Sequence, residues 1–194
     1  MSRPMIRPAA LGLGLFLLVV SLAPVAAPLR FFAVGDLPYS NAESELLATL
    51  LEQAAAQRPA FIVHVGDIKG GGQPCTDARN RAIAQLFREQ PVPMVYTPGD
   101  NEWTDCHRPS AGGQDPLARL ERIRETFFAD PAVLRMAELN ARSPVPLYPE
   151  TAYFVRNAVL FVVLHIVGSN NGASLDRPAV DAERVRRDAA NRAT

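Results

Sequence analysis

Three short apolar runs in the first half of the chain end in the same way. Phe31 to Asp36 reads FFAVGD, Phe61 to Asp67 reads FIVHVGD, and Val92 to Asp100 reads VPMVYTPGD. Each is a strand-like run closed by glycine and then a carboxylate. The three Asp stand 31 and 33 residues apart, about the length of one strand, crossover helix and strand. Between the runs the period becomes that of a helix. Ser40 and Glu43 form a capping box, Leu46, Leu47, Leu50, Leu51, Ala54 and Ala55 recur at helical spacing, and Arg58-Pro59 stops the helix near Gln57. After Asp67, a loop with Gly70, Gly71 and Gly72 leads to a second helix. Thr76 or Asp77 caps it; it buries Ile83, Leu86 and Phe87 and runs to about Gln90. Met94 to Thr97 is the third strand.

The second half is less regular. Residues 101–114 read as an irregular loop, and Asp115-Pro116 opens a helix with an apolar stripe of Leu117, Leu120, Ile123, Phe127 and Phe128. A short helix follows Asp130-Pro131, and residues 143–150 are a proline-rich connector. Thr151–Arg156 and Ala158–Val167 read as two strands with a turn at Asn157. The second is almost continuously apolar, so a central strand buried on both faces is expected. Val180 to about Arg192 is an Arg-rich helix with few apolar positions for packing.

The first 27 residues differ from the rest. Arg3 and Arg7 precede an uncharged apolar run, Ala9 to Leu22, and small residues follow up to Ala27. This is the layout of a secretory signal peptide. The run is shorter than a spanning helix wants, and an uncleaved N-terminal anchor is the alternative. The expected organisation is therefore a signal peptide at 1–27 and an exported domain, periplasmic or secreted, at 28–194. Formal net charge over all 194 residues is +0, which gives no nucleic-acid footprint and no basic patch for a membrane surface. Two cysteines in an exported chain, Cys75 and Cys106, lie just past the second and third Asp turns. A disulfide between them is expected if those strands are neighbours.

Parallel strands in an α/β sheet place ligands beyond their carboxyl ends. Asp36, Asp67 and Asp100 would meet there, and clustered carboxylates repel unless a cation sits among them. Hard oxygen donors suit Mg, Mn or Ca; Zn or Fe call for nitrogen ligands as well. An accidental turn pattern and a nucleotide site with a single magnesium-binding Asp are the alternatives, but no phosphate loop of the GxxxxGK[ST] kind supports the second.

The pairs Gly35-Asp36 and Gly66-Asp67, with Pro98-Gly99-Asp100-Asn101-Glu102, resemble the ordered motifs of the calcineurin-like metallophosphoesterases, which include the purple acid phosphatases. The resemblance covers roughly residues 30–172. It implies an α/β sandwich of mixed sheets flanked by helices, with two divalent or trivalent ions (Fe, Mn, Zn or Mg) that hydrolyse a small phosphate ester through activated water. Asp36 would bind the first ion, Asp67 would bridge, and Asp100 would bind the second, with Asn101 as ligand or phosphate contact. The chain departs from the pattern at Pro38, where the family carries His, and at Asn101, where its usual His would protonate a leaving group. His107 is the candidate substitute acid. His64 and His165 lie within strands and are expected in the core. Tyr39, Asn170 and Asn171 are secondary candidates for contacts at the site. Further family His ligands would lie beyond Thr194, so the expectation is a chain lacking its C-terminal part. The rival reading is an exported, non-catalytic binding protein on the same scaffold.

Overall fold

The computed structural model describes residues 28–171, 175 and 177–194; the expected signal peptide lies outside the described residues. The three apolar runs form strands β1 (Phe32–Val34), β2 (Ile62–His64) and β3 (Met94–Tyr96), all parallel, with β2 in the middle. Register aligns Phe32 with Ile62 and Met94, and Val34 with His64 and Tyr96. All three chains therefore reach the same edge together. Helix α1 (Asn41–Ala56) joins β1 to β2, and α2 (Asp77–Arg88) joins β2 to β3.

Local chemistry sets the helix ends. The Ser40 side chain accepts the Glu43 N–H at 3.1 Å. The Glu43 carboxylate reaches back to the N–H of Tyr39, one residue earlier than in a standard capping box. Thr76, not Asp77, caps α2. Strand alternation then divides the core. Ile62, Met94 and Tyr96 face the helices and pack with Leu47, Leu51, Ile83 and Phe87. Phe61 and Val95 face the other way, toward Leu139 and Phe154. Helix α3 (Pro116–Ile123) continues into a π-helical turn, Arg124–Phe128, and adds Leu120, Ile123 and Phe127 to the helix-side core. Short α4 (Pro131–Leu134) closes that side.

The last strands depart from expectation. β4 (Ala152–Arg156) and β5 (Val159–Val163) form an antiparallel hairpin, turned by Asn157 and Ala158 with φ of 49° and 61°. β5 is not buried on both faces: Val159, Leu160 and Val162 are exposed, as are Leu164 and Ile166 after it. The apolar run specified a strand, but it pairs only with β4 among the described residues. After β5 the chain passes β3, where Thr97 Oγ1 donates to the Leu164 carbonyl at 3.1 Å. It then enters the one-turn helix α5 (Gly168–Asn171).

Helix α6 (Pro178–Ala193) solves its shortage of apolar residues with charge. Its buried face is Val180, Glu183, Arg187 and Ala190. The Arg187 guanidinium stacks 4.8 Å from the centre of the Trp103 ring and donates to Asn171 Oδ1 at 2.7 Å. Asn191 brackets His165, accepting its N–H and donating to its carbonyl, each at 3.0 Å. Among the described residues no helix is long and apolar enough to cross a membrane.

Candidate metal centre

The strand ends carry Asp36, Asp67 and Asp100 to one edge. Asp36 follows β1 with φ of 62°, and its N–H donates to the Gly66 carbonyl at 3.0 Å, tying the first two turns together. Asp67 follows β2 with φ of 55°. Its Oδ1 accepts the Asn101 N–H at 3.1 Å, and its carboxylate shares a side-chain hydrogen bond with Asp100. The Asp100 carbonyl accepts from Asp105 N–H at 3.0 Å and Thr104 Oγ1 at 3.0 Å, which winds the following segment into a 3-10 turn, Thr104–His107.

Electrostatics mark the middle carboxylate. Burial lifts Asp67 to about 6, with the charges of Asp100 and Asp36 adding to the rise against the Asn101 N–H. Glycines allow the crowding. A Cβ on Gly99 would overlap Asp67 Oδ1, and one on Gly168 would overlap Asp100 Oδ2. Gly168 thus brings the chain after β5 to the same edge.

Among the described residues, no three His, Cys, Asp or Glu side chains stand in the arrangement of a finished metal cage. The carboxylates are bonded to one another and to their neighbours. The Tyr39 hydroxyl donates to Asp36 Oδ1, and Asn101 and Asp100 engage Asp67. The donor chemistry nonetheless suits a hard cation: carboxylate oxygens following three neighbouring strands, with Asp36 itself exposed. Nitrogen donors do not join them. His64 is fully buried; its Nδ1 accepts the Gly66 N–H at 3.2 Å and its Nε2–H donates to the Leu37 carbonyl at 3.1 Å. Both ring atoms are used, and burial lowers its pKa to about 4, so it is a neutral pin between two turns. His165 is buried too, with Nδ1 3.2 Å from Glu150 Oε1. His107 lies half-buried on the 3-10 turn and gives its Nδ1–H to the Thr104 carbonyl at 2.6 Å.

The other expected residues separate into two groups. Asn101 is central: its N–H binds Asp67, its amide nitrogen donates to Tyr39 Oη at 3.2 Å, and its carbonyl accepts from Lys69 Nζ at 2.6 Å. Asn171 is structural, since its side chain donates to Asp188 and accepts from Arg187. Asn170 is exposed at a φ of 53°.

One residue of the site was missed. Glu102 is 1% exposed, and its Oε1 accepts from the Gly99 N–H at 2.9 Å, the Asp67 N–H at 3.2 Å and the Tyr96 hydroxyl at 2.8 Å. It fixes the second and third turns from behind. Burial raises it to about 7. Its only signal in the sequence was its place directly after Asp100-Asn101. Behind the same turns, Lys69 is 1% exposed and bonded to the Gly70 and Asn101 carbonyls. The expected disulfide is present: Cys75 and Cys106 are joined, with Cα atoms 5.8 Å apart, and link the loops after Asp67 and Asp100.

No curated protein and no solved structure matches the chain. The sequence profile of the calcineurin-like phosphoesterases, however, matches residues 29–175, from just before β1 to just past α5. Three parallel strands delivering carboxylates to one edge, on a mixed α/β scaffold and within that match, place the chain in the calcineurin-like phosphoesterase family.

Proposed function

We propose that this phosphoesterase hydrolyses a small phosphate ester at a two-ion centre held by Asp36, Asp67, Asp100 and Asn101, with Asp67 between the ions. The observation that supports this most is positional. Asp67 follows the middle strand, hydrogen-bonds toward Asp100 and lies within reach of the charge of Asp36. When bound, such ions supply an activated water and a Lewis-acid contact for a phosphoryl oxygen. The oxygen-only donor set favours Mg or Mn over Zn or Fe.

The chain's own residues orient the edge. Glu102 holds the turns of Asp67 and Gly99 from behind. Asn101 keeps Asp67 and Tyr39 in register, and the Tyr39 hydroxyl steadies Asp36. We assign protonation of the leaving oxygen to His107, whose Nε2 is the ring nitrogen not spent on Thr104; its place on the turn after Asp100 supports this. The disulfide supports an exported location, with the domain beginning after residue 27.

The test is elemental analysis of the exported protein beside Asp67→Asn, with chromogenic phosphomonoester and phosphodiester assays. Bound metal and turnover in the wild type, both lost in the variant, are expected. A wild type without metal overturns the reading. Metal without turnover of either ester establishes the non-catalytic alternative, which the full engagement of His64 and the presence of Asn101 at the acid position favour.

A further inference from the structure

A charged pair beside the carboxylate edge has no part in the centre described above. Asp105 is buried, and its Oδ2 lies 2.6 Å from Arg108 Nη1, yet the Arg108 side chain stays 44% exposed. Gly71 shows where the pair sits. A Cβ built there would stand 2.7 Å from Arg108 Nη1, 2.8 Å from Asn101 Oδ1 and 2.8 Å from Asp105 Oδ2. The glycine loop thus closes over a point that Arg108 and Asn101 share. Asn101 donates in turn to Tyr39, and Tyr39 to Asp36. A chain of polar contacts therefore runs from Asp36 through Tyr39 to Asn101, and Gly71 packs against both Asn101 and Arg108. Behind it, Lys69 bonds the Asn101 carbonyl and adds a second positive charge facing Asp105.

A buried carboxylate that grips one side of a guanidinium fixes the direction of the remaining N–H groups. The Arg108 side chain is still 44% exposed, so the guanidinium remains open to solvent while Asp105 holds its Nη1. We propose that Arg108 is a substrate-binding residue that donates to a terminal oxygen of a phosphate ester at this edge, and that it favours monoesters. The proposal rests on the functional reading above. A phosphomonoester has three terminal oxygens and a diester two. Where ions held by the carboxylates would take two terminal oxygens, a donor to a third favours the monoester.

The experiment uses the full exported chain loaded with manganese, as wild type, Arg108→Ala and Arg108→Lys. Inorganic phosphate binding is measured by calorimetry, metal content by elemental analysis, and kcat/KM with chromogenic mono- and diesters. Arg108→Ala should bind phosphate about tenfold more weakly or worse, with metal content unchanged. Its monoester kcat/KM should fall by a similar factor while the diester value holds, and Arg108→Lys should recover part of both. Equal phosphate affinity and an unchanged monoester-to-diester ratio in Arg108→Ala would overturn the proposal while leaving the phosphoesterase reading intact. A wild type that takes up no manganese, or binds no phosphate once loaded, overturns both. Where Arg108→Ala unfolds because Asp105 is left bare, the Asp105→Asn/Arg108→Gln pair removes both charges together, and the same outcomes decide.

Discussion

Glu102→Gln separates charge from hydrogen bonding at a buried point of the site. Oε1 of Glu102 holds three donors, and a glutamine carbonyl can hold the same three. What changes is titration. Burial raises Glu102 from its ordinary 4.5 to about 7. In that window the folded protein binds more protons than the unfolded chain, so stability is greatest at low pH and falls as pH rises. Between pH 5 and pH 8 the shift amounts to about 2–3 kcal/mol. Asp67, raised from 3.8 to about 6, acts in the same direction but is largely spent by pH 6. The glutamine nitrogen would take the place of Oε2, which has no partner. That adds a cost of about 1–3 kcal/mol that does not vary with pH. Denaturant unfolding of the chelator-treated protein at pH 5, 6, 7 and 8 reads both effects. The variant should be less stable at pH 5 yet lose about 2–3 kcal/mol less on the way to pH 8. Parallel curves, offset but with one slope, would refute the assignment of the titration to Glu102.

Other perturbations test other parts of the edge. Asp67→Asn should reduce bound metal to background in elemental analysis while the circular dichroism spectrum is unchanged. Gly168→Ala places a methyl on Asp100 Oδ2, so metal affinity by titration should fall at least about tenfold with folding intact. Replacing Cys75 and Cys106 by alanine should cost about 3–4 kcal/mol in denaturant unfolding, and thiol counting on the unfolded, unreduced wild type should find none.

The strand and helix grammar was legible because its causes are local. Alternation, a capping Ser40 or Thr76 and a Pro after each helix act within a few residues, and the observed boundaries lie within two residues of those read. The disulfide followed from two loops on adjacent strands. What escaped depended on partners distant in sequence. An apolar run such as Ala158–Val167 states that a strand exists, not how many neighbours cover it, and β5 was read as central when it is half exposed. Helix α6 has few apolar positions, and its face is buried instead through Arg187 on Trp103 and Asn191 on His165. Glu102 drew no role of its own, since nothing local announces that three donors, from Asp67, Gly99 and Tyr96, converge on it.

The repeated Gly-Asp pair hides different reasons for the same two letters. Gly66 needs its freedom, with φ of 88° and Gly99 packed against it. Gly35 and Gly99 have no such backbone demand; each is there because a Cβ would strike Val65 or Asp67. The unusual conformation falls on the aspartates instead, at 62° for Asp36 and 55° for Asp67. Such φ values cost a non-glycine residue on the order of 1 kcal/mol, and they persist where surroundings over-determine them. Here the surroundings are named: the Asp36 N–H is held by Gly66 and the Asp67 N–H by Glu102. Asp and Asn are the side chains that tolerate this region best. Asp67→Asn therefore changes the charge at the centre of the edge while leaving the turn that presents it, which is why loss of metal in that variant would report on ligation and not on a collapsed loop.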